Sequence, residues 1–250
     1  AAFPNAVAWN SSAMQASFTV GPAIGGLLYG ISFEVPYIAA FAMFTTAFVL
    51  VTLIPKTTQQ TSAERRSIET VLAGVRYIRS NPVVLGAMSL DMFAVLLGGV
   101  MALLPVFARD ILDAGPMGLG FLRSAAGVGA LVAAVYLVRN PIRDHAGRVM
   151  FAGVVVYGLS IVVFGLSTTL WLSVPMLFVM GAADMLSVNV RATLIQLATP
   201  DDVRGRVSAV NSVFIGASNE VGEFRAGTMA ALIGAVPAVV IGGVGAVGIA

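Results

Sequence analysis

The chain has 250 residues, of which 58% are hydrophobic and only 10% are charged, and its formal net charge is +2. A soluble domain carries about 25% charged residues, so this composition argues against a globular protein with a wetted surface and indicates that lipid is the solvent. The absence of cysteine excludes disulfides and thiolate metal sites, and a single histidine argues against a zinc centre, so we expect neither a metal nor a cofactor.

Apolar stretches of about 20 residues recur along the chain, and each is long enough to cross roughly 30 Å of hydrocarbon as a helix. In chain order, the predicted spans are 6–31, 35–54, 83–107, 116–138, 149–167, 170–191 and 206–232, and an eighth begins near residue 236. Prolines inside three segments are compatible with membrane helices, since neighbouring helices can satisfy the freed backbone groups. The sequence therefore predicts an all-α integral membrane protein.

Residues 55–82 form the one long polar segment. Thr61 and Glu64 have the spacing of a capping box, and apolar residues then recur at helical spacing beside several arginines. Two interpretations remain open. The segment is either an amphipathic helix on an anionic membrane surface or an ordinary solvated linker helix.

An internal repeat relates the two ends of the chain. Residues 7–36 align with residues 208–237 without a gap, and ten of the thirty aligned positions are identical. A repeat with a period near 200 in so apolar a chain indicates a membrane protein built from two related halves. We therefore expect further helices before residue 1 and a last helix that is cut short by about five residues.

Basic residues predict the topology. Eleven of the fourteen lie in or beside three loops that fall on the same side when the spans alternate. They are Lys56, Arg65, Arg66, Arg76, Arg79, Arg139, Arg143, Arg148, Arg191, Arg204 and Arg206. By the positive-inside rule these loops are cytoplasmic, which places the N-terminus and residues 55–82 on the cytoplasmic face of the inner membrane.

Several segments resemble the major facilitator superfamily, in particular its bacterial drug-efflux and siderophore-export branch. These segments are FPNAVAWNSSAMQASFTVGPAIGGLLYG from Phe3, LLPVFARDIL and GLGFLRSAAGVGAL after Asp91, and TPDDVRGRVSAVNS from Thr199. The resemblance implies a partial helical bundle with about eight of twelve transmembrane helices, the fifth to the twelfth. Residues 1–54 would hold the last two helices of the N-terminal half, 55–82 the cytoplasmic linker, and 83–250 the C-terminal half.

Charged residues inside the predicted spans are the main candidates for function, because an intramembrane charge costs at least about 2.5 kcal/mol on insertion scales. Asp91 and Asp184 lie at similar depth from the cytoplasmic end, on helices that the resemblance assigns to the cavity. Two partly desolvated carboxylates near each other suit proton coupling. The alternative role is a hydrogen bond that holds two helices together.

Three more charges, Glu220, Glu223 and Arg225, lie in the span at 206–232, where the first repeat has uncharged residues. Arg225 is about 200° around the helix from Glu223, so it needs a partner on another helix or water. Arg123 lies at a depth close to that of Glu223, and the two could form a pair that is either functional or static. Glu220, nearest the midplane, is a candidate for proton or cation handling.

Small residues cluster at Gly21, Pro22, Gly25 and Gly26, where the resemblance places an antiporter motif. They predict either a gating seam between the halves or simple close packing. Asp144, Gly147 and Arg148 form D-x-x-G-R and resemble the end of the superfamily's loop motif, although His145 stands where that motif usually has arginine. These residues are either a cytoplasmic latch or charges that serve topology alone.

No nucleophile motif, metal cluster or phosphate loop is present, so we do not expect an enzyme. The favoured hypothesis is an exporter of a drug-like or siderophore-like small molecule that works by proton antiport and alternating access. Its partners would be the substrate, protons and the lipid bilayer, without nucleic acid, and the full-length protein would be a monomer. The alternative is a receptor or scaffold that uses the transporter fold without transport.

Overall fold

Helices make up almost the whole described chain, and no strand occurs in it. The computed structural model describes residues 31–53, 68–140 and 145–250, with residue 142 and, earlier in the chain, residues 17, 21, 24–26, 28 and 29. The helices are α1 (Val35–Thr52), α2 (Ile68–Ser80), α3 (Pro82–Gly98), α4 (Gly115–Arg139), α5 (Ala146–Leu166), α6 (Leu170–Ala198), α7 (Asp201–Ile233) and α8 (Ala235–Ile249). Between α3 and α4 the chain continues through short helical turns at Val100–Leu103, Leu104–Val106 and Phe107–Ile111.

Five of the described segments are long and apolar enough to cross a membrane: Val35–Thr52, Pro82–Ile111, Gly115–Arg139, Ala146–Leu166 and Leu170–Ala198. Helix α8 is equally apolar but has 15 residues, and α7 has 33 residues but carries several charges. These helices confirm the predicted all-α membrane fold. Helix α6 continues to Ala198, seven residues beyond the predicted end of its apolar span at residue 191.

Local chemistry explains where α3 and α7 begin and end. Asn81 caps the start of α3, because its Oδ1 accepts hydrogen bonds from the backbone N–H groups of Val83 at 3.1 Å and Val84 at 3.3 Å. Gly99 ends α3 in the left-handed region with φ of 30°, a conformation that glycine adopts readily. Gly234, with φ of 91°, makes the tight turn between α7 and α8.

The helices approach one another closely where small residues meet. A Cβ added to Gly129 of α4 would strike the carbonyl of Phe178, and one added to Gly181 of α6 would strike that of Ala126. Such contacts hold membrane helices together when lipid removes the hydrophobic driving force. The rings of Phe107, in the turns after α3, and Phe164, near the end of α5, pack against each other with their centroids 4.7 Å apart. Both belong to the largest apolar cluster of the described residues.

Helix α2, the described part of the polar segment 55–82, packs against the bundle. Its Val75 and Ile78 join an apolar cluster with Val207 of α7 and Val84 of α3, while Arg76 and Arg79 are exposed. The described apolar residues of α2 therefore contact protein, and both interpretations of residues 55–82 stay predictions. The predicted capping box at Thr61 and Glu64 lies outside the described residues.

The described arginine-rich segments share one end of the bundle. The Tyr77 hydroxyl of α2 donates to the Ala198 carbonyl at the end of α6, and Gly74 lies against the backbone of Arg206 near the start of α7. Ile142, between α4 and α5, packs with Leu194 of α6 in another apolar cluster at the same end. The turns after α3, α5 and α7 lie at the opposite end, which we call the outer end.

Candidate functional site

A buried ion pair joins α3 and α6. The Asp91 Oδ1 atom accepts a hydrogen bond from Arg191 Nη1, and the two residues are 8% and 5% exposed. Asp91 is nine residues beyond the start of α3, which puts it about 14 Å along the helix. The pair therefore lies well inside a segment long enough to cross a membrane.

The sequence predicted that Arg191 flanks a cytoplasmic loop, whereas the structure places its side chain inside the bundle. Arg191 lies inside α6, seven residues before Ala198, and its guanidinium points into the bundle. The apolar run weakens near residue 191, so an arginine there has the pattern of a loop flank. The signal that could have identified it is Asp91 itself, because a carboxylate buried between membrane helices requires a partner.

Two further polar side chains lie near the pair. Asp184 is seven residues before Arg191 on α6, so two helical turns put both on one face. Asp184 is within electrostatic range of both Asp91 and Arg191, and Tyr157 of α5 is within range of both carboxylates. The Tyr157 hydroxyl also lies against Gly98, where a Cβ would clash with it. We call these four residues, Asp91, Tyr157, Asp184 and Arg191, the Asp91 cluster.

Charge counting shows what the Asp91 cluster can do. Two carboxylates face one guanidinium, so the fully ionised cluster carries one excess negative charge. An uncompensated charge in an apolar interior is costly, and binding of a proton or a cation removes the cost. The sequence predicted that Asp91 and Asp184 lie near each other, and the structure brings them together around Arg191.

Arg225 of α7 finds its partners on α3. Its Nε donates to the carbonyl of Leu96 at 2.9 Å, and its Nη2 donates to the carbonyl of Leu97. These carbonyls belong to the last turn of α3, where no later helical N–H group is available to them. The side chain thus caps the break at Gly98 and Gly99, where α3 ends and the short helical turns begin. This agrees with the prediction that Arg225 needs a partner on another helix or water.

Arg123 and Glu223 do not form the pair that their depths suggested. Neither side chain has an ion pair within the described residues, in contrast to Arg191 with Asp91 and Arg109 with Asp110. Arg123 is on α4, which packs mainly against α6, whereas Glu223 is on α7, which packs against α2, α3 and α8. The predicted depths of Arg123 and Glu223 in the membrane are similar, but their helices, α4 and α7, are not neighbours. Both side chains are exposed, as is that of Glu220.

The glycine cluster makes one close contact. A Cβ added to Gly26 would lie 3.0 Å from the Gly120 Cα and 3.0 Å from the Pro116 carbonyl oxygen of α4, while Gly21 and Gly25 face open space. Pro22 lies outside the described residues. In the predicted loop latch, Gly147 and Arg148 are exposed at the start of α5, and Asp144 is outside the described residues.

Comparison with known proteins adds a family context to this geometry. The sequence profile of the family described as transmembrane secretion effector matches residues 1–249. Enterobactin exporter EntS of Escherichia coli O1:K1 / APEC, of Escherichia coli O139:H28 and of Shigella boydii serotype 18 is in each case 27% identical over 194 residues. That alignment covers 76% of this chain and 46% of each relative, so the chain spans less than half of their length.

Proposed function

Since this chain belongs to the transmembrane secretion effector family of the major facilitator superfamily, we propose that its complete protein is a secondary transporter. It exports a small organic molecule across the cytoplasmic membrane by proton antiport. The relatives named as enterobactin exporters support export of a small molecule. We propose a siderophore-like molecule or a hydrophobic drug as the substrate classes to test first.

The Asp91 cluster is the observation that carries the proton-coupled mechanism. Its excess negative charge makes a site that one proton neutralises, and Asp91 and Asp184 stand on α3 and α6, two different helices. When a proton binds to Asp91, the attraction that holds Arg191 toward α3 weakens. Because the pair joins two helices, its strength depends on how they pack, and this couples protonation to conformation.

Alternating access follows from the two-half architecture. Residues 1–54 belong to the N-terminal half, 55–82 form the linker, and 83–250 form the C-terminal half. The contact of Gly26 with Gly120 and Pro116 supports a seam between the halves, because backbones that approach this closely can separate without unpacking large side chains. The lone apolar α1, in which no residue is buried, would pack against helices of the same half.

The arginine-rich end of the bundle faces the cytoplasm in this proposal. The described arginines of α2 and of the ends of α4, α5 and α7 support this orientation, which the positive-inside rule favours. Substrate would enter from this side, and the Asp91 cluster would lie on its path between the arginine-rich end and the midplane.

Export by the complete gene product in an efflux-deficient bacterium tests the proposal. Retention of a fluorescent dye and of a siderophore is followed with and without a proton uncoupler. Export that the uncoupler abolishes supports antiport. Export that the uncoupler leaves unchanged contradicts proton coupling, and no export of either compound favours the alternative of a non-transporting receptor or scaffold.

A further inference from the structure

A cleft opens at the outer end of the bundle, between Gly25, Gly26 and Tyr29 on one side and the residues around the start of α4 on the other. Its volume is about 450 Å³, within the range of sites that hold drug-sized ligands. Apolar and glycine residues form most of its walls, including Gly26, Pro105 and Leu119. Among the described residues that line it, the polar side chains are those of Tyr29, Arg109 and Arg123, and none is a carboxylate.

The two arginines in the cleft differ in how they are held. Arg109 forms an ion pair with Asp110 at 2.6 Å, so its charge is compensated. Arg123 has no ion pair among the described residues, although it lies eight residues into α4 and about 12 Å from the start of that helix. An intramembrane arginine without a counter-ion marks a functional site by default. The cleft therefore presents one uncompensated positive charge within apolar walls.

We infer that this cleft binds a hydrophobic organic anion, whose carboxylate or similar group pairs with Arg123 while its apolar body contacts Leu119 and Pro105. A guanidinium suits this task because its fork of N–H donors matches a carboxylate in geometry and charge. The inference rests on the proposed function and extends it, because it assigns the ligand class and places the ligand near the outer face, apart from the Asp91 cluster.

Equilibrium dialysis of the purified complete protein, without any proton gradient, tests the inference. The probes are 2-naphthoate and its neutral amide, 2-naphthamide, which share the aromatic body and differ in charge. We expect naphthoate to bind with the lower Kd. Arg123→Gln should raise the Kd for naphthoate about tenfold and change that for naphthamide less than about twofold. Arg139→Gln, an exposed arginine at the other end of α4, is the matched control and should change neither Kd.

A second variant keeps the test valid if Arg123→Gln does not fold. Leu119→Trp fills the cleft from its wall and should abolish the binding of both probes. The inference is overturned if naphthoate shows no saturable binding, if naphthoate binds no tighter than naphthamide, or if Arg123→Gln binds naphthoate as the unaltered protein does. Because the assay needs no transport, lost export with retained naphthoate binding would refute the proposed function alone. Export of neutral compounds without naphthoate binding would refute this site alone.

Discussion

Arg191 of α6 and Asp91 of α3 form an ion pair whose side chains are 6% and 9% exposed. Asp184 lies on the same face of α6 as Arg191, so one guanidinium serves two carboxylates in an apolar interior. The Arg191–Asp91 pair joins two helices, and the second carboxylate, Asp184, adds a negative charge that a proton can neutralise.

Breaking this pair should separate its structural role from its functional role. Asp91→Asn leaves the Arg191 charge buried without its counter-ion, and we expect it to destabilise the protein by about 3–5 kcal/mol. The double variant Asp91→Leu/Arg191→Met removes both charges. Its loss of stability should be smaller, by about 2 kcal/mol, than the sum of the losses caused by Asp91→Leu and by Arg191→Met. Thermal unfolding of the purified protein measures both effects. Additive single changes would show that the two side chains do not depend on each other.

Arg225 should stabilise the break in α3. Arg225→Gln removes the charge that caps the Leu96 and Leu97 carbonyls, and we expect a loss of about 1–3 kcal/mol in the free energy of unfolding. Arg225→Lys should lose less, because it keeps the charge but has no fork of donors. Glu223→Gln, an exposed neighbour on the same helix, is the control and should stay within about 0.5 kcal/mol. Equal effects at the two positions would contradict a capping role.

Gly98 and Tyr157 should show mutual rescue. Gly98→Ala places a Cβ where the Tyr157 hydroxyl lies, so we expect a destabilisation of about 1–3 kcal/mol. Tyr157→Phe removes the obstructing oxygen, and the double variant should recover part of the loss. Gly86→Ala, on the same helix and facing open space, should leave stability unchanged or raise it by about 0.5–1 kcal/mol. If the double variant is no more stable than Gly98→Ala, the Tyr157 hydroxyl is not the group that Gly98 contacts.

Tyr77 should anchor the linker helix. Its hydroxyl donates to the Ala198 carbonyl and accepts from Asn81 Nδ2 at 3.2 Å. Tyr77→Phe removes both interactions, so amide hydrogen exchange over residues 74–80 should accelerate, by roughly fivefold for a loss of about 1 kcal/mol. Exchange in the α4–α6 core should not change. Faster exchange everywhere would indicate global destabilisation, and unchanged exchange in α2 would show that its apolar face alone holds it.

Hydropathy and periodicity predicted the helices well, because apolar length is a strong signal in a membrane protein. The predicted span 116–138 became Gly115–Arg139, for example. Depth counting predicted that Asp91 and Asp184 lie at similar depth, and the family resemblance placed both of their helices at the cavity. Depth counting measures position along the membrane normal only, so it could not determine which helices are neighbours.

That limit explains the first of two errors at the candidate site. The depths of Arg123 and Glu223 agree, but α4 and α7 pack against different helices. Arg191 was placed beside a loop because an arginine that ends an apolar run usually marks the membrane surface. Only tertiary packing shows that α6 continues to Ala198 and turns Arg191 toward Asp91. The Arg225 cap was equally hidden, since its acceptors are backbone carbonyls that have no sequence signature.

Proton flux in everted membrane vesicles tests the central claim most directly. Vesicles that contain the complete gene product are energised until the pH-sensitive dye 9-amino-6-chloro-2-methoxyacridine is quenched, and hydrophobic drugs and siderophores are then added one at a time. If the Asp91 cluster carries the proton, at least one compound restores fluorescence with the unaltered protein. Asp91→Asn and Asp184→Asn, present in equal amounts, then lower that response at least tenfold. A response of the unaltered size in both variants, or no response to any compound, would contradict proton coupling at this cluster.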